Sequence, residues 1–182
     1  MPDPLIPGIR LDAKVCQQYS LCVKAIVLDS SAIITFARVA ELDLLQLWSG
    51  SIWTIPEVYQ ETVDAGLVKG YPDAISIQKS FRDGIIQIKN PRKRERLAGV
   101  SLTDSLVIML AAELHAAFLL VNDHALLRRA EGYGVSAQFS AEFIRQLCEE
   151  GKISNRRMMR IYRALHEAGR YTEEFLNALV TR

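Results

Sequence analysis

The chain has 182 residues, of which 49% are hydrophobic and 24% are charged, values typical of one soluble globular domain. This composition excludes an extended disordered chain and a fibrous protein, and no apolar run is long enough to span a membrane. The formal net charge of +1 gives no overall basicity of the kind that marks a histone-like nucleic-acid binder. Three cysteines without a C-x-x-C pair, and a start without a secretory signal, predict a cytoplasmic protein.

Most of the chain alternates between strand-like and helix-like segments. Residues 1–23 carry three prolines and little periodicity, which predicts a loose N-terminal arm. Strands are then predicted at 25–28, 51–55, 85–89, 118–121 and near Val135, with helices at 32–37, 42–48, 56–65, 73–81, 103–116 and 124–131. Gly66 is expected to close the helix that begins at Pro56. This alternation predicts an α/β domain over residues 24–139, a three-layer α/β/α sandwich with a mainly parallel sheet.

The last part of the chain carries helical patterns only. They cover 141–150, 156–168 and 172–180, and glycines follow the first two. Residues 140–182 are therefore predicted to be a helical extension of the same domain, not a second domain.

Acidic residues follow two of the buried strands. Asp29 ends the run AIVLD, and Asp123 ends FLLVND. In parallel sheets ligands bind at the carboxyl ends of the strands, so both acids are candidates for a functional site. The alternative is that each simply caps the helix that follows, because aspartate is among the best N-cap residues.

Two further acids lie on predicted helices and can face the same edge of the sheet. Asp104 opens the apolar helix at 103–116; the alternative is a capping box in which its carboxylate bonds back to Ser101. Glu61 lies about 60° from Val58 on the inner stripe of its helix, closer than Glu57 or Asp64. Its alternative is an ordinary solvated helix acid.

Four carboxylates that converge on one cleft repel each other and require cations. A set of oxygen ligands without cysteine or histidine favours Mg²⁺ or Mn²⁺. Such an ion beside basic loops suits phosphodiester hydrolysis, where it activates water and stabilises charge on the phosphate.

The four motifs in their order resemble those of PIN-domain proteins, many of which are prokaryotic toxin ribonucleases of the VapC type. They are V-L-D-S-S at Asp29, I-P-x-V-x-x-E at Glu61, S-L-T-D-S-L-V-I at Asp104 and L-V-N-D-H-A-L-L-R-R-A at Asp123. The resemblance covers residues 24–136, and residues 139–180 resemble the C-terminal helices of a subgroup of these proteins. It implies a sheet in the order 3-2-1-4-5 and a metal-dependent endoribonuclease with the four acids as its metal site. It also implies an antitoxin protein that covers the acidic cleft, and a homodimer.

One position departs from the family pattern. Many members have a hydroxyl residue two positions before the last acid, where this chain has Val121. Ser30, Ser31, Thr103 and Asn122 are the candidates to replace it. A haloacid-dehalogenase phosphatase is excluded because the second aspartate that it needs is Ser31 here.

Basic residues are the candidates for RNA contact. Arg128 and Arg129, with Ser30, are predicted substrate contacts, and the basic loop from Lys89 to Arg96 is a further candidate. The alternative for these basic residues is a solvated loop and a solvated helix face. The arginines at 156, 157, 160 and 163 are expected to be solvated or paired with acids, and the three histidines to have no role in catalysis.

The sequence therefore predicts a ribonuclease that depends on Mg²⁺ or Mn²⁺, the toxin of a toxin–antitoxin pair. Asp29, Asp104 and Asp123 are its main ligands, and Glu61 completes the site or orients the attacking water. The alternative is a catalytically silent PIN fold that serves as a binding or regulatory module, in which the C-terminal helices engage a partner.

Overall fold

A computed structural model describes residues 24–181, so the arm predicted at 1–23 lies outside the described residues. Its centre is a parallel sheet of five strands in the order β3-β2-β1-β4-β5. The strands are β1 Ile26–Leu28, β2 Ile52–Thr54, β3 Gln87–Ile88, β4 Phe118–Val121 and β5 Ala137–Phe139. The predicted α/β/α architecture and the strand order implied by the family resemblance are both confirmed.

Helices connect and cover the strands. Those of the α/β part are α1 Ser30–Arg38, α2 Pro56–Tyr59, α3 Ala65–Val68, α4 Pro72–Arg82, α5 Leu102–Glu113 and α6 His124–Gly132. A 3-10 helix spans Leu42–Leu47, and a π-helical turn, Gln60–Asp64, joins α2 to α3. The C-terminal part forms α7 Ser140–Glu149, α8 Asn155–Glu167 and α9 Glu173–Val180. Among residues 24–181, no helix combines the length and apolar character needed to cross a bilayer.

The centre of the sheet is apolar on both faces. Every residue of β1 and β4 is buried, which explains their unbroken apolar runs, since strands of a parallel sheet are covered by helices on both sides. The chain moves outward from β1 to β3 and then returns to β4 and β5. Right-handed crossovers in these two directions place the covering helices on opposite faces. The reversal lies between β1 and β4, where a parallel sheet opens a crevice.

The C-terminal helices share the core of the α/β part. Phe143 on α7 is fully buried and packs edge-on against Phe36 on α1, with ring centroids 6.1 Å apart. Its ring also lies against Trp48 and Phe118. Residues of α8 and α9 belong to the same apolar cluster, among them Leu165 and Leu176.

Two element ends differ from the prediction. The helical segment that starts at Pro56 does not close at Gly66 but continues to Val68, with Gly66 buried inside it. A Cβ at Gly66 would lie 2.8 Å from the Cβ of Ala74, so this glycine permits the close approach of α3 and α4. The last strand begins at Ala137, two residues after the predicted Val135.

Candidate functional site

The four acids that the sequence singled out line one cleft at the point where the strand order reverses. The cleft has a volume of about 390 Å³. Asp29 directly follows β1 and Asp123 lies just beyond β4, while Asp104 is in the first turn of α5 and Glu61 is in the π-helical turn. The remaining lining residues are Ser30, Ser31, Val58, Ser101, Thr103, Val107 and Leu126.

Asp29 is the most deeply placed of the four acids, with only 6% of its surface exposed. Its carboxylate accepts hydrogen bonds from the Ala32 amide and from the Ser31 hydroxyl, each at 2.9 Å. Burial raises the pKa of Asp29 to about 7, because the two hydrogen bonds only partly compensate for lost hydration, and the charge of Asp104 adds to the increase. Burial destabilises the ionised form of a carboxylate with this pKa, and a cation bound nearby would stabilise that form.

Asp123 caps helix α6. One of its oxygens accepts hydrogen bonds from the amides of Ala125 at 2.6 Å and Leu126 at 3.1 Å. Asp29 likewise caps α1. The capping alternative is therefore confirmed for both acids, but it does not remove them from the cleft. In Asp123 a single oxygen makes both capping bonds, so the other remains available to a ligand.

The capping box, which is the alternative interpretation of Asp104, is only half present. Ser101 Oγ accepts a hydrogen bond from the backbone N–H of Asp104 at 3.1 Å. The reverse hydrogen bond, from the Ser101 N–H to the Asp104 carboxylate, is not formed among the described residues. The carboxylate instead lies 3.7 Å from the guanidinium of Arg129 on α6. Arg129, predicted to contact substrate, thus places a positive charge next to one carboxylate that lines the cleft.

Glu61 lies at the exposed rim of the cleft, within the π-helical turn. Turns of this kind widen the helix locally and are frequent at functional sites. Glu57, one α-helical turn earlier, is turned away to form an ion pair with Arg94. The predicted preference for Glu61 over Glu57 and Asp64 agrees with the lining of the cleft, although the wider turn itself has no signal in the sequence.

Ser31 has a larger role than its place among four candidates indicated. Its hydroxyl donates to Asp29 and accepts the backbone amide of Asn122 at 2.8 Å, so it joins the ends of β1 and β4. Val121 is fully buried and does not line the cleft. Of the proposed replacements for the missing hydroxyl residue, Ser30, Ser31 and Thr103 line the cleft, whereas the side chain of Asn122 is bonded to the C-terminal extension.

Most of the basic residues considered for RNA contact are already paired. In the loop from Lys89 to Arg96, Lys89 and Arg92 lie near Glu113, and Arg94 pairs with Glu57. On α8, Arg157 and Arg160 bind Glu41, in line with the prediction that these arginines are solvated or paired. Arg128 is exposed and has no ion pair within the described part of the chain.

The residues of the cleft fit a hard divalent cation by their chemistry. The donors are carboxylate and hydroxyl oxygens only, and one carboxylate is destabilised by burial and by a neighbouring acid. Within residues 24–181, no three acidic, histidine or cysteine side chains already lie close enough together to hold one ion. Repulsion among the carboxylates and the ion pair of Asp104 with Arg129 both act against such convergence.

Comparisons with known proteins give the family. No curated protein matches the chain. Among solved structures, a PilT N-terminus domain protein of Sulfolobus solfataricus P2 is 19% identical, with a TM-score of 0.45 over 65% of this chain and 89% of that one. A domain of a functionally unknown protein from Methanocaldococcus jannaschii is 18% identical, with a TM-score of 0.45 over 64% and 90% of the two chains. The family model described as DUF3368, a PIN domain, matches residues 25–182. The chain belongs to this PIN-domain family, whose members are commonly nucleases.

Proposed function

We propose that the protein is a metal-dependent endoribonuclease that hydrolyses RNA phosphodiester bonds in the acidic cleft. The observation that carries this proposal is that four carboxylates line one cleft of about 390 Å³, in which burial raises the pKa of Asp29 to about 7. A purely structural cap gains nothing from such burial, since desolvation opposes its charge. A cation-binding role accounts for both features.

Asp29, Asp104 and Asp123 are the residues that would hold Mg²⁺ or Mn²⁺. When bound, the ion supplies Lewis-acid stabilisation of the phosphate and lowers the pKa of a water molecule. Asp29 contributes a fixed oxygen, because its orientation is set by the Ala32 amide and the Ser31 hydroxyl. Glu61 completes the ligand set or orients the attacking water from the rim, where its exposed carboxylate can accept a proton and release it to solvent.

Two basic residues and one hydroxyl are the proposed substrate contacts. Arg128 is exposed on α6, the helix that Asp123 caps, and can bind a phosphate. Arg129 can exchange its contact with Asp104 for a phosphate oxygen once a divalent cation neutralises the carboxylate. Ser30 lines the cleft next to Asp29 and can donate a hydrogen bond to the RNA backbone.

Toxin activity is the proposed biological role, with an antitoxin protein as inhibitor and a homodimer as the assembled form. The resemblance to VapC-type motifs is the basis of all three. The ion pair of Arg129 with Asp104 supports the mode of inhibition, because it indicates that the cleft accommodates a guanidinium beside a ligand carboxylate. An antitoxin arginine placed there would compete with the metal ion for the same oxygen.

A catalytically silent binding module is the second candidate. The observation that favours it is that three of the four acids already have partners in the chain: Asp29 and Asp123 cap helices, and Asp104 pairs with Arg129. In such a protein the acids would stabilise helix ends and the C-terminal helices would engage a partner.

Cleavage of a mixed RNA pool distinguishes the two candidates. We expect cleavage by the wild-type protein with Mn²⁺, none with a chelator, and a loss of at least 100-fold in Asp29→Asn, which preserves the cap while removing the charge. Asp64→Asn, an exposed acid outside the cleft, serves as the matched control and should cleave normally. Equal cleavage in all samples, or none in any, contradicts the enzyme.

A further inference from the structure

The segment between α8 and α9 lies against the residues that neighbour Asp29 and Asp123. Arg170 Nε donates to Thr35 Oγ1 at 2.8 Å, and its Nη2 donates to the Ser31 carbonyl at 3.4 Å. The Tyr171 hydroxyl donates to Asn122 Oδ1. The C-terminal extension therefore reaches the end of β4 and helix α1, and within residues 24–181 it makes no hydrogen bond or ion pair with either acid.

Asn122 connects the C-terminal extension to Ser31 through two hydrogen bonds. Its amide nitrogen Nδ2 donates to the Ser31 carbonyl at 3.4 Å, and its backbone N–H donates to the Ser31 hydroxyl at 2.8 Å. Its Oδ1 also accepts the Ser140 amide at 3.1 Å, at the start of α7. Both sides of the Asn122 side chain are thus fixed, one by the extension and one by Ser31.

Ser31 connects Asn122 to the carboxylate of Asp29. Its hydroxyl accepts a hydrogen bond from the backbone N–H of Asn122 and donates its own proton to Asp29, with the Ser31 oxygen 2.9 Å from each carboxylate oxygen. Because the hydroxyl has a single proton to donate, the bond that it accepts from Asn122 decides where that proton is directed. A shift of Asn122 would therefore redirect this proton and the hydrogen bond that orients the Asp29 carboxylate.

The ring of Tyr171 is itself held in place. It stacks on Phe175 with centroids 5.3 Å apart and an interplanar angle of 9°, and it packs edge-on against Phe139 at 6.3 Å. Burial raises the pKa of Tyr171, so the hydroxyl keeps the proton that it donates. These aromatic contacts fix the direction of the hydrogen bond to Asn122.

We propose that Tyr171 and Arg170 are positioning residues that set the orientation of the Asp29 carboxylate through Asn122 and Ser31. The extension is then part of the candidate metal site and not only a cover for the core. The consequence for metal binding rests on the proposed function, whereas the coupling to Asp29 does not.

Tyr171→Phe tests this coupling, with Tyr162→Phe as the matched control. Tyr162 is a buried tyrosine of the same extension whose hydroxyl donates to the Ala141 carbonyl at 2.8 Å, with no bond to Asn122 or Ser31. The first measurement is amide hydrogen exchange without metal at Ala32, which donates to Asp29, and at Asn122. We expect Tyr171→Phe to accelerate hydrogen exchange at both amides about three- to tenfold, the effect expected for loss of one hydrogen bond. Tyr162→Phe should leave both exchange rates unchanged.

The second measurement is Mn²⁺ affinity from the metal-dependent rise in melting temperature. We expect Tyr171→Phe to weaken binding by about three- to tenfold and Tyr162→Phe to have no effect. If the amides of Ala32 and Asn122 respond equally to both variants, the positioning role is overturned. It is also overturned if wild type binds Mn²⁺ and Tyr171→Phe binds it equally well. If wild type binds no Mn²⁺ but the amides respond to Tyr171→Phe alone, the proposed enzyme fails and the positioning role stands.

A second variant covers the case in which Tyr171→Phe does not fold. Arg170→Gln removes the bond to Thr35 and the charge beside the Ser31 carbonyl, and it should accelerate exchange at Ala32 in the same direction. Arg163→Gln is its control, since Arg163 is exposed on α8 and has no ion pair within residues 24–181. Equal exchange rates in these two variants would overturn the role of Arg170.

Discussion

In this PIN domain the guanidinium of Arg129 on α6 lies 3.7 Å from a carboxylate oxygen of Asp104 on α5. A positive side chain therefore lies next to one of the four carboxylates that line the cleft. The guanidinium and a divalent cation would compete for the same oxygen. Arg129 is thus placed to reduce the affinity of the site for metal.

Removal of this competing charge should strengthen metal binding. We expect Arg129→Gln to bind Mn²⁺ about two- to fivefold more tightly, the range expected for loss of a partly exposed ion pair. The measurement is isothermal titration with Mn²⁺. Arg128→Gln is the control, because Arg128 is the neighbouring exposed arginine without an ion pair in the described chain. Weaker binding by Arg129→Gln would show that the arginine organises the site instead.

Asp29 should make the metal-free protein less stable at higher pH. Its folded pKa of about 7 lies above the ordinary 3.8, so the folded state binds more protons than the unfolded state between these values. The stability contribution from protonated Asp29 is therefore lost as pH rises from about 4 to about 7. We expect Asp29→Asn, measured with a chelator, to melt on the order of 10 °C above wild type at about pH 8 and close to it at about pH 4. A constant difference across this range would contradict the prediction.

Glu61 should matter for cleavage far more than Glu57, although both lie on the same helical segment. If Glu61 orients or deprotonates the attacking water, Glu61→Gln should reduce kcat by about 100-fold or more. Glu57 pairs with Arg94 and does not line the cleft, so Glu57→Gln should change kcat less than about threefold. Cleavage of a labelled RNA with Mn²⁺ gives both values. Similar losses in both variants would indicate a general effect on the helix.

Gly66→Ala should destabilise the protein, although alanine normally improves a helix. The new Cβ would lie 2.8 Å from Ala74 Cβ, and two helices would have to separate. We expect a loss of about 1 to 3 kcal/mol in the free energy of unfolding, as for other overpacked sites. Gly132→Ala has open space around its Cβ and should be neutral or slightly stabilising. Denaturant unfolding compares the two variants.

The C-terminal helices should unfold together with the α/β part. Phe143→Ala removes a fully buried ring that packs against Phe36, Trp48 and Phe118, and it should cost about 3 to 5 kcal/mol. We expect a single thermal transition, lowered by on the order of 10 °C. Two separate transitions, with only one of them shifted, would show that the extension forms a unit of its own.

Much of the fold was predictable because buried parallel strands leave a direct pattern in the sequence. The apolar run of β1 is followed directly by Asp29, and that of β4 is followed, after Asn122, by Asp123. This pattern indicates both strands and the edge of the sheet that carries the cleft. The end of the helical segment at Val68 was not predictable. From the local sequence, Gly66 is expected to end the helix. In the structure it lies inside the helix, where its missing side chain allows Ala74 of the next helix to approach closely. Local sequence does not encode this contact between two helices.

The sequence by itself determined the four acids and their order, since each follows a strand or lies on a helix whose direction is fixed by hydrophobic periodicity. Only the tertiary structure decided the environment of each acid. Burial raises the pKa of Asp29, Arg129 pairs with Asp104, and the π-helical turn places Glu61 at the rim. It also brought Arg170 to Ser31, 139 positions away in the chain, and Tyr171 to Asn122, 49 positions away. Charge, burial and hydrogen bonding act between residues distant in sequence, and no local pattern of one chain records them.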